Sequence, residues 1–314
     1  MKLSAALLLL PSTILATPVS TSQASFASLL GLTTLTHDHS APLRHESKFF
    51  NEAKFHPHYD GRFASSTLPQ QSRTVHLRLL VKTYMETMAR IGVRTWIMHG
   101  SLLGWWWNGS ILTWDSDVDV MVEESGILEL GEWWGLSVHP FTAKELGLLV
   151  GDEKNDDMLG LKKEDWDTLQ KHGKKYLLEI NPHHVNHDTR DKFNVIDARW
   201  IDTSTGLFID ITTVHTSPRN DGEMFTKDAH AYDHSQLFPL RQTTFEGVEV
   251  LVPYAYEELL HEEYGPGALT RTKLHGYKFD GKAWVDTGFT GRQELMSGGG
   301  KRRGKNGIVG ERAA

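Results

Sequence analysis

Three aspartates at alternate positions run through "TWDSDVDVMV", and a fourth stands alone in "LFIDIT". Asp119 lies between Val118 and Val120, and Asp210 between Ile209 and Ile211, so each acid interrupts an apolar run. Side chains alternate faces along a strand, which puts Asp117 and Asp119 on one face and Val118 and Val120 on the other, toward a core. Two carboxylates so close repel each other and resist ionising together. A divalent cation removes that penalty and orients both. Magnesium suits the set, being hard, oxygen-seeking and ready to exchange its waters for a substrate's phosphates, and manganese takes the same ligands. Asp210 completes the metal set as third ligand or serves as general base. Asp115 either joins the substrate-binding side of this site or only turns the chain into the strand.

Phosphate chemistry needs donors as well. Gly100 carries no side chain, Ser101 adds a hydroxyl, and a helix N-terminus behind them would point free N–H groups outward. Arg199 and Arg241 each have two readings, as phosphate clamps or as covers for strand edges. Trp105, Trp106 and Trp107 read as core or lid packing in preference to a base-stacking platform. His183, His184 and His187 have loose metal-ligand spacing, but "NPHHVNHDTR" is polar throughout and reads as a solvated loop. Asn108 heads the glycosylation sequon "NGS" and is expected to be unmodified, because a glycan beside the metal site would obstruct it.

These residues need a scaffold. In "SRTVHLRLLVKTYMETMARIG" the apolar positions Leu77, Leu80, Val81, Tyr84, Met85, Met88 and Ile91 follow one helical face from about Ser72, and Gly92 ends it. A strand "RTWIM" then leads through Gly100 and Ser101 to "LLGWWW", and "DVDVMV" is the next strand. "FNVIDARWID" and "LFIDITTV" read as strands joined by "TSTG", and "TTFEGVEVLVP" as a hairpin about Glu246 and Gly247. "AYEELLHEEYG" is a short helix stopped by Gly265 and Pro266. This alternation predicts an α/β (α+β) domain over residues 72–290.

Flanking segments differ in kind. Residues 1–17 carry Lys2, the apolar run Leu3 to Leu10 and the small Ala16, the pattern of a cleaved secretory signal. That run is too short for a comfortable span of about 20 residues, although an uncleaved anchor is the alternative. The lumen of the secretory pathway (Golgi) or the secreted and cell-wall fraction is the expected location. Residues 18–71 are rich in Ser, Thr, His and Pro without a period and read as a linker or loosely packed arm. Residues 291–314 read as a disordered, basic, glycine-rich tail. With no cysteine in 314 residues, disulfide frameworks, zinc ribbons and thiol chemistry are excluded. A net charge of -7 argues against general nucleic-acid binding.

Small-residue turn, Asp-x-Asp and distant strand Asp together resemble the nucleotidyltransferase superfamily. "HGSLLGWWWNGSILTWDSDVDVMV" resembles its LicD and fukutin branch more closely, and "FIDIT", "LFPLRQTTFEGVEVLVP" and "EEYG" look like later blocks in the right order, from about 75 to 265. The resemblance implies a nucleotidyltransferase-like fold with a small mixed central sheet flanked by helices. It also implies transfer of a phospho-substituent from a nucleotide diphosphate conjugate to a sugar hydroxyl. Fungal members are linked to mannosylphosphate addition on cell-wall glycans, which makes GDP-mannose the expected donor and a glycan the acceptor. An idle regulator of a partner glycosyltransferase, and a phosphocholine or polyol-phosphate transferase with a CDP donor, are the alternatives. A carbohydrate-binding module holding calcium fits less well, since calcium loops use irregular backbone. The cysteine-bound zinc of the fukutin-like animal members has no ligands here.

Overall fold

The helix expected from about Ser72 runs from Gln70 to Ile91 (α1), and Leu77, Leu80, Val81, Tyr84, Met85 and Met88 are all buried along it. Gly92 closes it in the left-handed region at φ 80°, its N–H reaching the Met88 carbonyl, a position glycine fills without the Cβ clash of other residues. The computed structural model describes residues 22–42, 45, 47–148, 163–218 and 220–288. The expected signal (1–17) and tail (291–314) lie outside the described residues.

After α1 come β1 (Thr95–Ile97), α2 (His99–Asn108), β2 (Val118–Glu123), α3 (Glu124–Trp133) and β3 (Ser137–Phe141). Then follow α4 (Lys163–His172), β4 (Lys174–Ile180), β5 (Ala198–Asp202) and β6 (Phe208–Thr216). Six strands form the sheet β1-β2-β6-β5-β4-β3, extended from β6 by β7 (Glu223–Phe225) and β8 (Ala231–Asp233). It is a mixed sheet: β2 and β6 are parallel, and the other pairings are antiparallel. Helix α1 packs on β5 and β6, so the protein has the α/β architecture expected. Pro140 is accommodated because β3 is the last strand of its side and needs no second ladder.

A short helix α5 (His234–Leu237) leads to the hairpin β9 (Arg241–Phe245) and β10 (Val248–Val252), then α6 (Tyr256–Tyr264) and a small sheet of β11 (Lys273–Leu274), β12 (Tyr277–Phe279) and β13 (Trp284–Asp286). Glu246 and Gly247 both have positive φ, 53° and 75°, as a two-residue hairpin turn requires. Glu246 tolerates this because its carboxylate accepts from the Ile111 N–H at 2.7 Å and Arg78 Nε at 2.9 Å. The tryptophans of α2 are packing residues here. Trp107 donates to the Ala268 carbonyl and meets Phe279 and Trp284 edge-on, while Trp105 donates to Thr243 Oγ1. Together they tie α2 to the hairpin and the small sheet.

The segment read as a loose arm contributes to the folded body. Phe49, Phe50, Tyr59 and Phe63 are buried, and the Asp60 N–H donates to the Gly206 carbonyl in the β5–β6 turn at 2.7 Å. Its aromatic residues lack a period because each anchors separately through long-range contacts. Asn108 is exposed at the end of α2, eight residues beyond Gly100 and so about 12 Å along the helix.

Candidate functional site

The parallel register of β2 and β6 puts Asp119 directly opposite Asp210. Val118, Val120, Ile209 and Ile211 turn to the other face and are buried, so the two carboxylates share one side of the sheet's central pair. On the far side of β6, the antiparallel register of β5 aligns Arg199 with Asp210, and Arg199 Nε donates to Asp210 Oδ1 at 2.7 Å. Arg199 also reaches Glu52 at 3.4 Å and lies between the rings of Phe50 and Phe208. It holds a strand acid in place, with Nη1 buried and lacking an acceptor.

Gly100 and Ser101, expected in a turn leading to the helix, lie in the first turn of α2, which meets the same acids. Ser101 is buried, and its Oγ accepts a hydrogen bond from the Asp119 N–H at 3.0 Å. Met98 N–H in turn donates to the Asp119 carbonyl at 3.1 Å, so the start of α2 and the start of β2 are locked together. At Gly100 a Cβ would stand 3.3 Å from Asp115 Oδ2, which places the Asp115 carboxylate against the helix N-terminus. Ser101→Ala strands the Asp119 N–H, and the expected cost is about 1–3 kcal/mol. A lower urea midpoint at unchanged slope is the measurement.

Five further groups come from residues outside the candidates read from the sequence. His58, from the segment ahead of α1, has Nδ1 2.7 Å from Ser116 Oγ and 3.5 Å from Asp117 Oδ1. His99 has a left-handed backbone at φ 53°, a strained choice for a residue with a Cβ. Its Nδ1 sits 2.9 Å from Glu263 Oε1. His230 lies nearby, its ring tilted 45° to that of His99 at 4.9 Å, and pairs with Asp228 at 2.8 Å. His99 adjoined the quoted turn and Glu263 sat in "EEYG", so both were visible as letters; nothing in the pattern marked His58.

Electrostatics follow from this crowding. Burial first, then the neighbouring carboxylates, hold Asp115, Asp117 and Asp119 above the usual carboxylate range, with Arg73 opposing this at Asp115, His58 at Asp117 and His99 at Asp119. Burial would lower the His99 ring, but Glu263, then Asp119 and Asp228, outweigh it and lift it to about 9. Arg199, His58 and His99 offset this acid set only in part, and such a set fits a hard divalent cation, with Asp117, Asp119 and Asp210 as its oxygen donors. Among the described residues, the groups of three that bring ligand atoms within 4.8 Å are His99, His230 and Glu263, and Glu124, His187 and His215. Arg241 is not part of this assembly. It lines a separate cavity of about 690 Å³ with Tyr254, Tyr256 and His261, its guanidinium over the Tyr254 ring at 4.2 Å.

Residues 92–172, which hold α2, β2 and the alternating aspartates, match the family LicD/FKTN/FKRP, nucleotidyltransferase domain. Over that segment the chain is similar to the LicD family. Two proteins of Saccharomyces cerevisiae (strain ATCC 204508 / S288c) are similar to this chain. Mannosyltransferase regulator 4 is 27% identical over 177 residues, covering 53% of this chain and 13% of that protein. Mannosyltransferase regulator 14 is 22% identical over 205 residues, covering 60% and 19%. The chain therefore spans less than a fifth of the length of either relative.

Proposed function

We propose that this LicD-like chain is a metal-dependent phosphotransferase that moves a sugar phosphate, mannosylphosphate from GDP-mannose, onto a hydroxyl of a glycan. A transferase-related or regulatory role is what the family match and the two relatives support, and the donor, acceptor and metal are our finer reading. The register that sets Asp119 opposite Asp210, with Asp117 in the segment just ahead of β2, carries it. Bound there, Mg²⁺ or Mn²⁺ would neutralise the charge that develops on the diphosphate.

The chain's own residues have defined tasks. Asp117, Asp119 and Asp210 would hold the ion. Ser101 fixes the backbone that carries Asp119, and His99, positively charged near neutral pH, offsets part of the acidic field. Arg199 engages Oδ1 of Asp210, which leaves Oδ2 for a metal or for the proton of the attacking hydroxyl. The hydroxyl oxygen of the glycan attacks the β-phosphorus in line, the bond to the bridging oxygen breaks, and the nucleoside monophosphate departs. The reaction belongs in the secretory-pathway lumen or at the cell wall, by the signal-like start.

A regulatory reading has its own support: the relatives are named regulators, and Arg199 already neutralises Asp210. One assay separates the two. Purified protein is incubated with Mg²⁺ or Mn²⁺, a glycan acceptor and GDP-mannose, UDP-sugar or CDP-conjugates, with and without an added mannosylphosphate transferase. Metal-dependent GMP release by the chain alone supports the enzyme, and CMP release moves the donor to a CDP conjugate. No release alone, with stimulation of the added transferase, assigns the regulator.

A further inference from the structure

At the other end of the parallel pair from the acids stands the second cluster, Glu124, His187 and His215. Glu124 follows the last residue of β2, and His215 lies near the end of β6. They are five residues beyond Asp119 and Asp210 respectively, about 16 Å along the strands. The loop after β4 brings His187 to both. His187 Nε2 is 3.0 Å from Glu124 Oε1, His215 Nδ1 is 3.7 Å from the same oxygen, and the two imidazole rings are 4.1 Å apart.

An ion pair would account for Glu124 and His187, which are 38% and 46% exposed at their side chains. It does not account for His215. That residue is 0% exposed, and neither of its ring nitrogens has a hydrogen-bond partner. An imidazole carries one N–H and one lone pair, and burying both without partners costs about 1–3 kcal/mol each. A ligand that accepts a lone pair from Nδ1 relieves part of that cost, and a metal ion is the ligand that also uses His187 and Glu124.

We propose that Glu124, His187 and His215 form a zinc site. Two imidazoles and one carboxylate are a three-residue zinc set that leaves a fourth position for water, and here the exposed side of Glu124 and His187 faces solvent. Donors around a tetrahedral ion at bond lengths of about 2.0–2.1 Å stand roughly 3.4 Å apart, close to the 3.0 and 3.7 Å observed. The nearby cation is Lys227, and Asp197 at 2.5 Å neutralises it. The nitrogen donors separate this site from the all-oxygen acid set at the other end of the strands, which suits harder ions. Its role is to pin the loop carrying His187 to the ends of β2 and β6. His183 and His184, in the same loop, lie outside it; His184 Nδ1 bonds the Asn181 carbonyl.

The test uses the full chain as Asp119→Asn, so that the acid set contributes little, stripped with chelator and titrated with Zn²⁺ against a chromophoric competitor. One equivalent of zinc should bind and raise the melting temperature. Adding His187→Ala or Glu124→Gln, both at part-exposed positions, should weaken binding at least about 100-fold and abolish the thermal shift. Circular dichroism verifies that each variant is folded, since His215→Ala in the core is the change at risk of unfolding. Undiminished zinc affinity in both double variants, or no zinc bound by Asp119→Asn, overturns the proposal.

Discussion

Asp119→Asn should abolish metal-dependent transfer while leaving the metal-free protein as stable as before, or more so. Asp119 faces Asp210 across the strand pair and feels Asp117 and Glu263 as well, and its carboxyl is held well above the usual range. Such a group opposes folding in its ionised form. A raised folded-state value means the native state binds the proton more tightly than the unfolded chain. Stability is therefore full below the unfolded value and falls as pH rises through the folded one. His99, lifted to about 9 by Glu263 and Asp119, acts in the same direction: its contribution is complete below about 6.5 and lost toward pH 9. In chelator, wild-type stability should decline from acid through neutral to alkaline pH. Asp119→Asn should show a shallower decline, because one carboxylate is gone and His99 has lost one of its partners. With Mn²⁺ the order reverses, since the ion stabilises only a site able to hold it. Melting curves from pH 5 to 9, with and without Mn²⁺, read all of this. A variant that melts far below wild type in chelator would make Asp119 a structural strut.

Local pattern carried much of the scaffold. Helix α1 was legible because seven apolar positions repeat on one face, and the hairpin because Glu246-Gly247 punctuates two alternating runs. The acids were legible as anomalies in apolar strands. Pairing was not. The parallel register of β2 and β6 joins residues far apart in sequence, and it alone makes Asp119 and Asp210 neighbours. The two readings of Arg199 could be resolved only by the β5–β6 register, which commits its guanidinium to Asp210. His99 was in plain view, yet its left-handed backbone and its pairing with Glu263 arise from packing against α6. Phe49, Phe50 and Tyr59 lacked any period, so composition pointed to a linker where burial shows a packed segment.

That packed segment supports the largest stability prediction. Arg62 is buried between Asp60 and Glu179, with Nη2 2.6 Å from Asp60 Oδ2 and 2.7 Å from Glu179 Oε2, and Nη1 donating to the Ala24 carbonyl. Glu179 accepts from the Ala24 N–H as well, so one buried triad joins residues 24, 60–62 and β4. Arg62→Met would leave two carboxylates buried without their cation, at an expected cost of about 3–5 kcal/mol. That is a large share of the roughly 5–15 kcal/mol typical of a whole domain. The deficit should shrink at acid pH, because an unpaired buried carboxylate has a raised folded-state value and folds best when protonated. Adding Asp60→Asn and Glu179→Gln removes both charges and should recover part of the loss at neutral pH. Urea unfolding at pH 5 and 7 measures each step. A loss below 1 kcal/mol would mean that this segment opens independently of the sheet. The consequence reaches the site: His58, two residues before Asp60, sits against Asp117, so undocking the triad should also withdraw the imidazole that faces the acids.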